Sequence, residues 1–272
     1  MLPYIFMILG VLSALAIMLL TGMYTAWYHI LIFLALSLGC FVVWVILFLL
    51  FVFICSIFVD KRKERTNINR FYYRLVAMSA RLGIFFTNTT LHFEGGEKLP
   101  KDERFLMVGN HLSNLDPMSV LTKIPDKDIL FVSKPENFDI PVVGRAIQKS
   151  GFMAIDRENV RNAIVTINKA ADYIKNDKAS VFIFPEGTRN RTAKGLLEFK
   201  NGAFKIATKA KCPIVIAAFS HTELVMKSGP WKHKDIYLKI VDVIPAERVA
   251  TMRTQEISDE VYEKILANTL NR

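Results

Sequence analysis

His111 and Asp116 are the first residues of this sequence whose types and spacing could do chemistry. They lie in the stretch VGNHLSNLDPMSV, residues 108–120. A neutral imidazole near neutral pH can take a proton from a hydroxyl group. A carboxylate on the other ring nitrogen would fix the tautomer and stabilise the imidazolium as it forms. The pair therefore predicts a general base, which is worth about 10²–10⁴ in rate when it acts on a bound hydroxyl.

The chain around the pair decides whether the two side chains can meet. Phe105–Val108 is a candidate strand. Asp116-Pro117 is typical of a helix start, because Asp is a good N-cap and Pro is favoured at the first helical position. Capping alone would account for Asp116. His111 then lies in the loop between strand and helix, and the pairing requires that this loop folds back.

A second stretch, VFIFPEGTRNRTAKGLLEFKNGAF, covers residues 181–204. A β-type run ends at Phe184, and the turn that follows presents Glu186 and Arg189 together. An arginine can bind a phosphate through two parallel hydrogen bonds, which lysine cannot do. The alternative is an ordinary surface turn with solvated charges.

Short apolar runs typical of strands alternate with helical patterns after residue 60. The runs are Phe105–Val108, Ile129–Val132, Phe152–Ile155, Val181–Phe184, Ile214–Phe219 and Ile236–Val243. Helical spacing appears in residues 69–84, through Phe71, Leu75, Met78 and Leu82, and again at Val160, Ile164, Ile167, Ala171 and Ile174. This alternation predicts an α/β domain with a mostly parallel sheet flanked by helices. Ligands of such sheets bind at the carboxyl ends of the strands.

Residues 1–59 contain no Asp, Glu, Lys or Arg. Pro3–Met23 and Ile30–Val59 are each long enough to cross a bilayer, for which ~20 apolar residues suffice. We therefore expect an N-terminal two-helix membrane hairpin over residues 1–59 and an α/β domain over residues 60–272. A re-entrant pair of helices is an alternative. A cleaved signal peptide is disfavoured, because no basic residue precedes the first apolar run.

All the charged residues lie after the hairpin and give a net charge of +10. Residues 60–65 form a basic cluster directly after the second apolar run, which predicts a domain on the cytosolic side of the cell membrane. The charge suits membrane lipids or a phosphorylated small molecule. Nucleic acid is not indicated, because there is no zinc-finger spacing and no aromatic RNA-binding motif. The three cysteines and the other histidines show no metal-ligand spacing, so neither a metal nor a cofactor is expected.

The two stretches, in this order, resemble motifs of the glycerolipid acyltransferase family, in particular the 1-acylglycerol-3-phosphate acyltransferases. The similar elements are N-H-x-x-x-x-D at Asn110, His111 and Asp116, G-x-x-x-I-D-R at Gly151–Arg157, F-P-E-G-T-R at Phe184–Arg189, F-K-x-G-A at Phe199–Ala203, and a Lys…Pro…Gly stretch at Lys134–Gly144. The family's fourth motif carries two prolines, and this chain keeps only the first, Pro213.

The resemblance implies transfer of an acyl group from a thioester to the 2-hydroxyl of lysophosphatidic acid, which makes phosphatidic acid. The donor would be acyl-coenzyme A or acyl carrier protein. His111 would act as the base and Asp116 would orient it. The resemblance also implies a pocket for the acceptor phosphate, formed by Lys134, Arg157, Glu186, Gly187, Thr188 and Arg189. No G-x-S-x-G elbow is present, so transfer would be direct, without an acyl-enzyme.

Three other functions remain open. The acceptor could be glycerol 3-phosphate or another lysophospholipid. A non-catalytic, membrane-tethered binder of anionic lipid is a different class, and it would have no need of the His111/Asp116 pair. A membrane-bound hydrolase would require a nucleophile, and nothing marks Ser113 as one.

Overall fold

A computed structural model gives the fold over residues 2–59, 67–192, 195–229 and 231–269. The chain divides into two compact units, Met1–Asp60 and Lys61–Arg272. The basic cluster of residues 60–65 lies outside the described residues.

The first unit is a pair of antiparallel helices, α1 (Leu2–Thr21) and α2 (His29–Ile57). Trp44 Nε1 donates to Ser13 Oγ at 3.3 Å across the pair. A Cβ at Gly10 would lie 2.9 Å from the backbone nitrogen of Phe41, so only glycine permits this approach. The outer surface consists of exposed apolar side chains. By length and composition, both helices could cross a membrane, since 20 residues at 1.5 Å each span about 30 Å.

The second unit is built on a seven-stranded sheet of order β1-β7-β6-β2-β5-β3-β4. The strands are β1 (Thr89–Glu94), β2 (Leu106–Gly109), β3 (Ile129–Ser133), β4 (Met153–Ala154), β5 (Ser180–Ile183), β6 (Ile214–Ser220) and β7 (Lys234–Ile244). Strands β6, β2, β5, β3 and β4 are mutually parallel, whereas β7 is antiparallel to β6 and β1 is parallel to β7. The predicted mostly parallel sheet is confirmed. Strand β1 was not predicted, because its sequence TTLHFE is half-exposed and has no apolar run.

Helices cover the sheet and bury its central strands. They are α3 (Arg70–Phe86), α4 (Leu115–Lys123), α5 (Val143–Ser150), α6 (Val160–Lys175), α7 (Lys205–Ala210), α8 (Thr222–Ser228), α9 (Ala246–Thr251) and α10 (Thr254–Asn268). The runs of β2, β5 and β6 are buried along their whole length, as expected for strands that are covered on both faces.

The face that α3 turns to the core differs from the predicted stripe. Leu75 and Leu82 of that stripe are buried, but Phe71 is exposed, and Tyr73, Val76 and Ala80 line the main core. The hydroxyl of Tyr73 accepts the backbone N–H of Ile129 at 3.0 Å, and this contact fixes the rotation of the helix. Burial raises the pKa of the Tyr73 phenol to about 12.

The predicted stripe of α6 holds over its second half only. Ile167, Ala171 and Ile174 are buried, whereas Val160 and Ile164 are exposed. The strand beside the first turns of α6 is β4, which has two residues and offers little sheet surface to cover.

Candidate active site

The candidate residues gather at one edge of the sheet. Parallel strands present their carboxyl ends on the same side, and the loop after each of them carries part of the site. His111 follows β2, residues 184–189 follow β5, Lys134 follows β3, and Arg157 lies just after β4. The candidate site residues therefore follow the carboxyl ends of the strands, as the sequence predicts.

His111 and Asp116 are in contact within the loop that joins β2 to α4. His111 Nδ1 lies 2.8 Å from Asp116 Oδ2. The Asp116 side chain is fully buried, and that of His111 is 18% exposed. The loop folds back as the pairing required. A carboxylate can only accept, so Nδ1 carries the proton and Nε2 is the nitrogen left to act as a base.

Asp116 does not cap the helix, and that interpretation of the sequence is wrong. Helix α4 begins at Leu115, so Asp116 already lies in the first turn. Its Oδ2 accepts the backbone N–H groups of Leu112 and Ser113 at 2.6 and 2.8 Å. The carboxylate therefore organises the loop that precedes the helix. The same oxygen that holds the loop also holds the imidazole.

The turn after β5 holds the backbone of His111 from both sides. Glu186 is buried, and its Oε1 accepts the His111 N–H at 2.9 Å. Its Oε2 accepts the backbone N–H of Leu197 at 3.2 Å. The carbonyl of His111 in turn accepts the N–H of Asn190 at 2.7 Å. Glu186 thus links three segments and positions the residue that carries the imidazole.

Two further residues define where the imidazole lies. The Phe184 ring stacks on His111 with the centroids 4.0 Å apart and an angle of 17° between the planes. Asn110 is buried, and its side-chain amide bonds both backbone groups of Phe219, at 2.8 and 3.0 Å. This pairing continues the β2–β6 contact past the end of β2, so His111 leaves the sheet at a fixed point.

Arg189 and Thr188 are exposed, whereas Gly187 is buried in the turn. Arg189 Nη1 donates to Asn114 Oδ1 at 3.2 Å, which holds the guanidinium over the loop of the His–Asp pair. Gly187 has φ +69°, and a Cβ there would meet the Lys200 side chain at 3.2 Å. The positive φ is what favours glycine at this position, since the lysine side chain could move aside.

Arg157 lines a cavity of about 140 Å³ beside the pair. The cavity wall is mostly apolar, and Phe184 contributes to it from the side on which His111 stacks. Among the described residues, the buried Nη1 of Arg157 has no hydrogen-bond partner. Burial lowers the pKa of its guanidinium, and the nearby Glu136 carboxylate opposes that shift. A buried, unpartnered donor at a cavity suits an anionic ligand, because an unsatisfied buried polar group is costly.

Lys134 is exposed directly after β3. The sheet order puts its loop between those that carry Glu186 and Arg157. Within the described ranges, no hydrogen bond or ion pair joins the Lys134 side chain to these residues. Lys134 therefore lies at the carboxyl ends of the strands, as predicted for the site, but its amine is not held by any of the described residues there.

The geometry permits one kind of chemistry directly, which is proton abstraction by His111 Nε2. Ser113 is not arranged as a nucleophile, since its Oγ accepts the N–H of Leu115 at 3.0 Å. No group of His, Cys, Asp and Glu in the described part of the chain could hold a metal ion.

Residues 90–220 match the model of the acyltransferase family. This segment, just under half of the chain, is similar to a known acyltransferase domain. Within the chain, the matched acyltransferase segment contains His111, Asp116 and the whole turn after β5.

Curated acyltransferases are similar to the chain in sequence as well. The chain is 33% identical over 151 residues to a 1-acyl-sn-glycerol-3-phosphate acyltransferase of Haemophilus influenzae, which is 54% of this chain and 62% of the relative. It is 30% identical over 175 residues to the protein of that name from Saccharomyces cerevisiae, covering 63% of this chain and 57% of the relative. The matches to the first curated relatives thus span 57% to 64% of their lengths.

The fold is also that of a solved acyltransferase. The crystal structure of the 1-acyl-sn-glycerophosphate acyltransferase PlsC from Thermotoga maritima superposes with a TM-score of 0.58. The two chains are 22% identical, and the match covers 80% of this chain and 88% of the other. At this identity the likeness concerns the fold.

Proposed function

We propose that this protein transfers an acyl group from an acyl thioester to the 2-hydroxyl of 1-acylglycerol 3-phosphate, which makes phosphatidic acid. The observation that carries the proposal is the His111–Asp116 hydrogen bond at the carboxyl edge of the sheet. The names of the curated relatives supply the substrate class.

In this reaction His111 Nε2 takes the proton of the acceptor hydroxyl as the oxygen attacks the thioester carbonyl. The C–O bond forms, the C–S bond breaks, and the imidazolium returns the proton to the departing thiolate. Asp116 keeps Nδ1 protonated and stabilises the positive charge that develops on the ring. Glu186 holds the His111 backbone, so we assign it a positioning role within the pocket.

The acceptor phosphate would be bound by Arg189, Lys134 and Arg157, with Gly187 and Thr188 shaping the turn. Arg189 is held over the loop of the base, and Arg157 offers an unpartnered N–H group to the cavity. Both guanidinium groups can bind a phosphate through two hydrogen bonds. Arg189 bonds the loop that carries His111, and Arg157 lines a cavity together with Phe184, which suits a ligand that carries its phosphate close to the reacting hydroxyl.

We further propose that residues 1–59 anchor the enzyme in the cell membrane, with residues 60–272 facing the cytosol. The support is the uncharged hairpin and the lysine and arginine residues that begin at Lys61. A lysophospholipid resides in the bilayer, and a tethered active site could reach it there. Alkaline carbonate washing of membranes should leave the protein in the pellet, and its release would favour a peripheral hairpin.

One assay tests the activity. The full chain, purified in detergent, is given a labelled acyl-coenzyme A or acyl carrier protein together with a panel of acceptors, and the products are resolved by mass. Phosphatidic acid is expected from 1-acylglycerol 3-phosphate. A product from glycerol 3-phosphate or another lysophospholipid alone would change the acceptor. The absence of any product with either donor would overturn the proposal.

A further inference from the structure

The second oxygen of the Asp116 carboxylate has a partner of its own. While Oδ2 accepts His111 and two backbone N–H groups, Oδ1 accepts the hydroxyl of Thr222 at 2.5 Å. Asp116 and Thr222 are both fully buried. A buried carboxylate oxygen without a donor is costly. The hydrogen bond from Thr222 therefore stabilises the Asp116 carboxylate and the loop between β2 and α4 that it organises.

Thr222 reaches Asp116 because it lies just after the end of β6. The strand runs beside β2 in parallel and ends at Ser220. His221 then adopts a left-handed backbone with φ +65°, an uncommon conformation for a residue with a side chain. This turn starts α8 at Thr222. The bonds between Asn110 and Phe219 fix β6 against β2 just before the turn.

We propose that Thr222 is a positioning residue for the base, acting through Asp116. This inference rests on the proposed acyl transfer. The Thr222 hydroxyl fixes the plane of the carboxylate, so that Oδ2 faces Nδ1 of His111. It also supports the negative charge of Asp116 while the imidazolium forms, because hydrogen bonds to ionised groups are the stronger ones. Thr222 acts on the reaction through the carboxylate and the imidazole.

Three variants of the full chain separate this role from simple packing. Thr222→Val keeps the shape and removes the donor, and Thr222→Ser keeps the donor. Ser119→Ala removes an equally buried hydroxyl of α4 that bonds a helix carbonyl instead, at 2.8 Å from Leu115 O. We expect Thr222→Val to lower kcat roughly 10–100-fold with KM for both substrates within about twofold. Thr222→Ser and Ser119→Ala should each keep kcat within roughly threefold of the parent. If Thr222→Val does not fold, Thr222→Ala is used in its place.

A double-mutant cycle tests the route through Asp116. If Thr222 acts on the carboxylate, Thr222→Val should cost less than about threefold in kcat once Asp116 is already Asn. Full additivity of the two losses would overturn the proposal, as would an unchanged kcat in Thr222→Val.

A spectroscopic measurement distinguishes this inference from the acyl transfer on which it rests. In full-length protein with labelled histidine, the Nδ1 proton shared with Asp116 is followed by NMR and assigned by its loss in His111→Gln. The resonance should move in Thr222→Val and stay in Thr222→Ser. If the parent makes no phosphatidic acid but the resonance moves, the proposed function fails and the positioning contact stands. A resonance that is the same in both variants overturns the contact itself.

Discussion

The backbone N–H of His111 donates to the carboxylate of Glu186 at 2.9 Å, although 75 positions separate the two residues in the chain. The base is therefore placed by a turn that follows a different strand. The same turn carries Arg189, whose guanidinium bonds Asn114 in the loop of the base. One turn thus sets both the position of the imidazole and the position of a cation beside it.

Glu186 should accordingly affect turnover and stability together. Glu186→Ala leaves the half-buried N–H groups of His111 and Leu197 without an acceptor, at a cost of up to about 1–3 kcal/mol each. We expect a lower melting temperature and a large loss of turnover. Glu186→Gln keeps one acceptor oxygen and should retain more of both. An alanine variant that melts and turns over like the parent would contradict the positioning role.

Substitutions of His111 and of Asp116 should differ in their effect on the stability of the protein. His111→Ala should reduce transfer by about 10²–10⁴ with little effect on thermal unfolding, because the Asp116 carboxylate keeps its three other donors. Asp116→Asn should reduce both transfer and stability, since an amide cannot serve all the donors that converge on the carboxylate. Transfer rates and melting temperatures of the two variants provide the measurement. Near-normal turnover in His111→Ala would contradict the assignment of His111 as the general base.

The sequence predicts best the features that are local. The strands of the parallel sheet are short apolar runs, and the His111–Asp116 pair lies within a single loop. Strand β1 was missed because it has no apolar run and only one of its six residues is buried. The rotation of α3 depends on the contact of Tyr73 with Ile129, 56 positions away.

Thr222 lies 106 positions from Asp116, and no local spacing could connect them. The available signal was weak, namely a polar residue two positions after the end of a long apolar strand. The opposite error concerns Asp116, for which a familiar helix-start pattern suggested a capping role. The backbone groups that its carboxylate binds lie before it in the chain, because the loop folds back over the first turn of α4.

Asp242 should make the stability of the domain depend on pH. The hydrogen bond from Lys264, whose Nζ lies 2.5 Å from Oδ2, lowers the pKa of the Asp242 carboxyl below its ordinary value. A carboxyl with a depressed folded-state pKa stabilises the fold above its unfolded pKa of about 4, and this contribution is lost as the pH falls through the folded value. The side chain is 47% exposed, so the effect should stay below about 1 kcal/mol.

The measurement is the melting temperature of Asp242→Asn against the parent from pH 7 to pH 3. The variant should melt lower at neutral pH, and the gap should close below about pH 4. Asp102→Asn, a change at an exposed aspartate, serves as the control. A gap that stays constant or widens on acidification would rule out the linkage.

Arg189 should determine the preference for a phosphorylated acceptor. A charge-assisted hydrogen bond is worth about 1.5–3 kcal/mol, so Arg189→Ala should lower kcat/KM for 1-acylglycerol 3-phosphate by about 10–150-fold. Arg189→Lys should recover only part of this, because lysine cannot bind the phosphate through two parallel hydrogen bonds. Monoacylglycerol lacks the phosphate, so it should be a poor acceptor for the parent and should lose far less in Arg189→Ala. Arg161→Ala, at an exposed position of α6, should leave the ratio of the two efficiencies unchanged. If that ratio also stays constant in Arg189→Ala, Arg189 does not bind the phosphate and its bond to Asn114 is purely structural.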